Sequence, residues 1–173
     1  MISLYDAVVP TWRQILGGAK QFLQRGADHC ADNNIDPADL VQARLFPDMF
    51  PLNLQVVLVH AHSIGAVEAC RTGSFSPPRN TPPPADYAGC QKMIADALAG
   101  VEALQPDDVN ALAGRDVQFV AGELKLPFIT EGYLFSFAMP NFYFHATTAY
   151  DILRMKGVPL GKRDFMGTPT LKK

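Results

Sequence analysis

Apolar residues recur every three or four positions along four long segments of this chain, and this spacing constrains its fold most. The segments cover residues 3–27, 52–71, 86–104 and 131–156. Apolar residues at this spacing form a stripe along one side of an α-helix, and the stripe has to be buried against a neighbouring element. The sequence therefore predicts an all-α fold in which four long helices pack as a bundle.

Capping residues, prolines and glycines set the ends of these helices. Asp86 and Thr130 are suitable N-caps for the third and fourth long helices, and Gly157 lies where a helix-ending glycine is common. Pro140 falls inside the fourth helix and is expected to kink it. Residues 74–84 contain five prolines, which predicts an extended surface loop after the second helix.

A short helix, a glycine pair and the C-terminal tail are further features of the predicted architecture. Asp36 and Pro37 predict a short helix that ends before Phe46. The pair Gly17-Gly18 weakens the first helix in its middle, which indicates close packing against a neighbour. Residues 158–173 contain prolines and glycines and are expected to form an irregular tail.

The spacing of the apolar residues changes between the third and fourth helices. Alternating apolar positions on either side of Ala121-Gly122, within residues 115–128, predict a small β-hairpin. A hairpin of this size is not stable alone, so we expect residues 1–173 to form a single domain.

Charge and cysteine content exclude several classes of protein. The 173 residues contain 15 Lys and Arg against 17 Asp and Glu, so the chain lacks the basic surface of a nucleic-acid-binding protein. The N-terminus has no basic residue ahead of an apolar run, and no stretch reaches the ~18 apolar residues that span a bilayer. Cys30, Cys70 and Cys90 are widely spaced, which favours reduced, buried thiols. We therefore expect a cytoplasmic protein without a membrane or nucleic-acid partner.

Polar residues interrupt the apolar faces of two helices and mark the candidate site. Asn141 and His145 are four residues apart, so they lie on the same, inward side of the last helix. On the second helix, His60 and His62 lie about 200° apart, so only one of them can face the core. Histidine is the commonest metal ligand, and asparagine can add a carbonyl oxygen. These residues are candidates for a metal site in the bundle core.

A structural role is the alternative interpretation of the same residues. A histidine on an apolar helix face is often only hydrogen-bonded within the core, and Asn141, Thr148 and Tyr150 are suitable partners for His145. In that case the protein is a non-enzymatic bundle that binds a small molecule or another protein. The aromatic run at residues 142–144 exceeds what one core stripe needs, which indicates a helix covered on all sides by a subunit partner.

Two further segments have alternative interpretations. Residues 46–51, rich in phenylalanine and proline, are typical of a hydrophobic staple before a helix but could also line the mouth of a pocket. Residues 161–165 are expected to dock the tail through Phe165, or to offer Arg163 to an anion.

Three segments together resemble the DUF1993 family of uncharacterised proteins. They are residues 43–52 (ARLFPDMFPL), 140–154 (PNFYFHATTAYDILR) and 161–165 (GKRDF). That family is similar to the DinB/YfiT-like metalloenzyme superfamily. The resemblance covers essentially the whole chain and implies an up-down four-helix bundle, with the hairpin between helices 3 and 4, that forms a homodimer.

The resemblance also implies a set of metal ligands. In the superfamily, three histidines hold nickel or zinc, one from the second helix and two, spaced HxxxH, from the last. His145 matches the final ligand, and His62 matches the second-helix ligand, with His60 as the substitute. Asn141 stands where the middle histidine belongs, so the full triad is absent. We therefore expect a DinB-like protein of unknown biochemical function with an altered metal pocket. A nickel- or zinc-dependent hydrolase or thiol-dependent transferase is the alternative.

Overall fold

The computed structural model of the chain describes residues 2–79 and 81–172, and most of them are helical. The elements in chain order are α1 (Leu4–Asn33), α2 (Ala38–Val41), α3 (Leu52–Ala61), α4 (Ile64–Thr72), β1 (Ser74–Phe75), α5 (Tyr87–Glu102), α6 (Pro106–Asn110), β2 (Asp116–Ala121), β3 (Leu124–Ile129), α7 (Thr130–Tyr133), a π-helical turn (Leu134–Ala138), α8 (Met139–Met155) and α9 (Lys162–Met166).

Four of these helices enclose the apolar core. α1 packs along α5 and also contacts α8, while α3 packs along α8 and α5. The side chains of Trp12, Phe22 and Phe142 are completely buried between them. Burial of such large apolar side chains is the main favourable term that holds the helices together.

The second predicted helix is broken in two. The prediction of one helix over 52–71 is wrong, because α3 ends at Ala61 and α4 begins at Ile64. The hydroxyl of Ser63 donates to the carbonyl oxygen of Val59 at 2.7 Å. A serine hydroxyl that bonds to backbone in this way competes with the helical hydrogen bonds. His62 is therefore the C-cap of α3 and no longer lies inside a continuous helix.

The last predicted helix is continuous but changes its hydrogen bonding before Pro140. Proline has no N–H to donate, and the turn before it, Leu134–Ala138, is π-helical. The expected disturbance at Pro140 is therefore a π-helical turn. Thr130 is the first residue of α7 rather than its N-cap, because its hydroxyl donates to the carbonyl oxygen of Arg115 at 3.2 Å.

A small three-stranded sheet corrects the expected all-α class. β2 and β3 are antiparallel, with Val117 opposite Phe128. β1 adds a parallel strand in the order β1-β2-β3, with Phe75 opposite Phe119. The fold is therefore mostly helical with a small sheet, and the extended proline-rich segment begins only after Phe75.

The C-terminal segment is irregular as predicted except at α9, which packs against α1. A side chain at Gly18 would collide with the backbone of Phe165 in α9, so the close packing predicted for the glycine pair holds at Gly18, whereas a side chain at Gly17 would meet nothing within 4 Å. Arg25 forms an ion pair with Asp164 at 2.6 Å. The backbone N–H of Gly161 and the guanidinium of Arg25 hold the pKa of Asp164 below its ordinary value.

The cysteines are buried, as their wide spacing led us to expect. Cys30, Cys70 and Cys90 are free and buried. Within residues 2–79 and 81–172, no helix combines the length and the apolar character that a membrane span requires.

Candidate functional site

His62 and His145 lie beside each other in the interior. His62 is the C-cap of α3 and His145 is in the middle of α8, and their side chains are 4 % and 8 % exposed. The two imidazole rings are nearly parallel, with centroids 6.0 Å apart and an angle of 10° between their planes. The structure thus brings together two of the residues that the sequence analysis proposed as ligands.

His60 lies on the other side of α3, away from this pair. It is half-buried in a shallow pocket that it shares with Pro82, Pro84 and Asp96. Burial lowers the pKa of His60, and the nearby carboxylate of Asp96 partly opposes that effect. The choice that helical periodicity left open therefore falls on His62.

Gln55 fixes the proton of His145. The Nδ1 atom of His145 is 2.7 Å from the Oε1 atom of Gln55, while the Nε2 atom of Gln55 donates to the carbonyl oxygen of Phe50 at 2.9 Å. Because an amide oxygen only accepts hydrogen bonds, Nδ1 of His145 must carry the proton. The Nε2 atom of a neutral His145 then presents a bare lone pair, which is the form that binds a metal.

Asn141 lies one turn before His145 but does not bond to it. Its Nδ2 atom donates to the carbonyl oxygen of Phe137 at 2.7 Å. The alternative in which His145 bonds to Asn141 is therefore wrong in its partner, since His145 is hydrogen-bonded in the core to Gln55 instead. The carbonyl group that Asn141 binds belongs to the π-helical turn. The side chain of Asn141 is half-buried, and its amide oxygen can still accept a hydrogen bond.

An aromatic wall covers one side of the histidine pair. The ring of His62 lies 5.1 Å from that of Phe75 and 5.7 Å from that of Phe137, measured between centroids. Tyr133 and Phe119 pack behind these two phenylalanines. In the part of the chain that the structure describes, the buried Nδ1 atom of His62 has no hydrogen-bond partner. An unpaired nitrogen at this depth is costly unless a ligand or water completes it.

Burial keeps both imidazoles neutral. It lowers the pKa of His145 to about 4. The pKa of His62 is also lowered to about 4, mainly by burial and further by the neighbouring His145. Both groups are therefore uncharged near neutral pH, and the neutral imidazole is the form that coordinates metals.

The donor atoms of the three predicted ligands are imidazole nitrogens and one amide oxygen. Across the described ranges, no group of three or more His, Cys, Asp and Glu side chains is arranged to hold a metal. The predicted set is two neutral imidazoles and the amide oxygen of Asn141, and within the described residues the buried Nδ1 of His62 has no hydrogen-bond partner. Such a set leaves coordination positions open, as catalytic metal sites do, but provides no negative charge.

Sequence reasoning missed Gln55 as the partner of His145. Gln55 and His62 are seven residues apart, which puts them on the same face of the predicted second helix, and Gln55 is 1 % exposed in the structure. A glutamine in an otherwise apolar helix segment was the available signal, since a buried amide has to bond to something. Its partner lies 90 residues away in the sequence, and no local pattern shows that contact.

Comparisons with known proteins agree with this architecture. A family model described as a domain of unknown function, DUF1993, matches residues 4–166. The chain is also similar to the crystal structure of a DinB family member protein from Shewanella denitrificans. The two chains are 26% identical, the match covers 98% of this chain and 95% of that one, and the TM-score is 0.77. No curated protein matches the chain.

Proposed function

Because this chain belongs to the DUF1993 family, whose function is unknown, we propose that it is a DinB-like protein with an altered divalent-metal pocket at His62 and His145. The observation that carries the proposal is the contact between the two buried imidazoles, 6.0 Å apart between centroids. α1, α3, α5 and α8 would form the up-down four-helix bundle of this proposal, with the pocket between α3 and α8.

The residues of the chain itself would prepare the pocket for an ion. Gln55 holds the proton on Nδ1 of His145, which leaves Nε2 free, and Phe75 and Phe137 limit the access of water to His62. Asn141 would contribute its amide oxygen. A bound nickel or zinc ion would supply Lewis acidity toward a water molecule or a thiol.

An active metal-dependent enzyme is the alternative. Two imidazoles leave positions open for a substrate, which favours a hydrolase or a thiol-dependent transferase over a purely structural ion. The missing third histidine at Asn141 favours the altered pocket, because fewer ligands hold an ion less firmly.

Metal titration of the two histidine variants tests this proposal. We expect nickel or zinc to bind the untagged protein at one site in isothermal titration calorimetry. His62→Ala and His145→Ala should each weaken that binding by about tenfold or more, since each removes a ligand. His60→Ala is the matched control, because His60 lies on the same helix but faces away from the pair. The proposal fails if the native protein takes up no metal, or if His60→Ala weakens binding as much as the other two.

Gln55→Leu tests whether the hydrogen bond to His145 prepares the ligand. Loss of the partner that orients a metal-binding histidine typically lowers affinity 10- to 100-fold, so we expect a loss of about tenfold. Asn53→Leu is the control, because Asn53 is also buried on α3 but donates to the carbonyl oxygen of Pro84. Equal losses of affinity in both variants would indicate a general disturbance of α3 and would contradict a specific role of Gln55.

The predicted homodimer has support from exposed aromatic residues along the last helical segment. Phe135, Tyr143 and Phe144 are 45%, 37% and 56% exposed. Large aromatic side chains on a surface are typical of interfaces. The homodimer, a small-molecule ligand and the cytoplasmic location stay predictions.

A further inference from the structure

An apolar groove runs along α3 outside the histidine pair. Phe50, Leu54 and Leu58 form one wall, and Pro77, Pro78 and Pro83 of the proline-rich segment form the other. The volume of the groove is about 420 Å³. This lies within the range of pockets that take small organic ligands, roughly 300–1,000 Å³.

Both walls of the groove are connected to the histidine pair. Leu58 lies one helical turn before His62, so the two side chains share a side of α3. On the opposite wall, Pro77 follows two residues after Phe75, whose ring contacts His62. Each wall of the groove is therefore joined by a short stretch of chain to a residue of the histidine site.

Phe50 provides a third connection. Its side chain is 53% exposed and lines the groove, while its carbonyl oxygen accepts the hydrogen bond from Gln55. Gln55 in turn holds His145. A ligand that packs on Phe50 would thus be linked to the imidazole of His145 through the hydrogen bonds of Gln55.

The charge of the groove indicates the kind of ligand. Arg79 is the single charged side chain among the described residues that line it, and Arg79 is exposed. No ion pair involving Arg79 occurs within the described ranges. Arginine binds carboxylates through two parallel hydrogen bonds, and the apolar walls have no group that would pair with a cation.

We propose that this groove binds a free monocarboxylate whose apolar chain or ring packs on Phe50 and Leu54 while its carboxylate pairs with Arg79. The proline-rich wall suits such a ligand because its backbone is already restricted and loses little freedom on binding. A monocarboxylate bound here would also be the substrate class of the histidine pair, and this second step rests on the proposed function. Binding itself does not depend on a metal.

Binding of phenylbutyrate to the metal-free protein tests the inference about the apolar wall. We expect phenylbutyrate to bind in isothermal titration calorimetry, and Phe50→Ser to weaken this binding by about tenfold because it removes an aromatic contact surface. Phe46→Ser is the matched control, since Phe46 is 63% exposed in the same segment but does not line the groove. The use of metal-free protein separates this result from a failure of the metal proposal.

A charged and an uncharged ligand together test the role of Arg79. Arg79→Gln should weaken phenylbutyrate binding about tenfold and should leave the binding of the uncharged phenylbutanol unchanged. Arg115→Gln, at an exposed arginine directly before β2, should change neither. The inference is overturned if phenylbutyrate does not bind, if phenylbutanol binds as tightly, or if the control variants lose as much affinity as the groove variants.

Discussion

Acidification of the metal-free protein from pH 6.5 to pH 4 is expected to lower its free energy of unfolding by about 5 kcal/mol through the two buried histidines. In the folded protein the pKa of His62 and that of His145 are each lowered from 6.5 to about 4. Each unit of difference corresponds to about 1.4 kcal/mol, so each histidine contributes roughly 2–3 kcal/mol. Because the total stability of a domain is only about 5–15 kcal/mol, this loss is large.

The sign follows from which state binds more protons. Below pH 6.5 the unfolded chain takes up protons on both imidazoles, while the folded chain excludes them until the pH approaches 4. The stabilisation is therefore fully present above pH 6.5 and is lost as the pH falls toward 4.

Urea unfolding at several pH values measures this effect. His145→Gln keeps a hydrogen-bonding side chain next to Gln55 but cannot titrate, so its stability should fall less steeply with acid than that of the native protein. His29→Gln is the control, because His29 is half-buried on α1 beside Asn33 and away from the pair. An identical pH dependence in His145→Gln and the native protein would contradict the assignment.

The helices could be predicted from the sequence because their signals are local. Asp86 caps α5 by accepting from the N–H of Gly89, and Gly157 has the positive φ of 92° that favours glycine after a helix. Both positions were identified from residue type and spacing alone. The side chain that caps the start of a helix, or the backbone freedom that ends one, belongs to the same residue whose type is recognised in the sequence.

Contacts between distant segments could not be predicted in this way. Which side of the second helix faces the core depends on the break at Ser63. A serine inside an apolar helix does not by itself predict a break. β1 is only two residues long, and its parallel pairing with β2 spans 44 residues in Ser74↔Gln118. α9 forms against Gly18, which lies at the other end of the chain. Tertiary contacts stabilise each of these elements, and local propensity does not.

Two neighbouring glycines of α1 should respond oppositely to the same substitution. Gly18→Ala is expected to lower the free energy of unfolding by about 1–3 kcal/mol, because the new methyl group would meet the carbonyl oxygens of Phe165 and, at 3.0 Å, Asp164. Gly17→Ala is expected to raise it by about 0.5–1 kcal/mol, since nothing lies within 4 Å of the added carbon and alanine favours the helix.

The position of cleavage in limited proteolysis distinguishes displacement of α9 from a general weakening of α1. α9 carries Lys162 and Arg163, so limited digestion with trypsin should cut there faster in Gly18→Ala than in Gly17→Ala or the native protein. Urea unfolding supplies the two free energies. If both glycine variants were equally stable and equally resistant to trypsin, α9 would not be packed on Gly18 in solution. The contrast is informative because the two substitutions are chemically identical and differ only in what faces them.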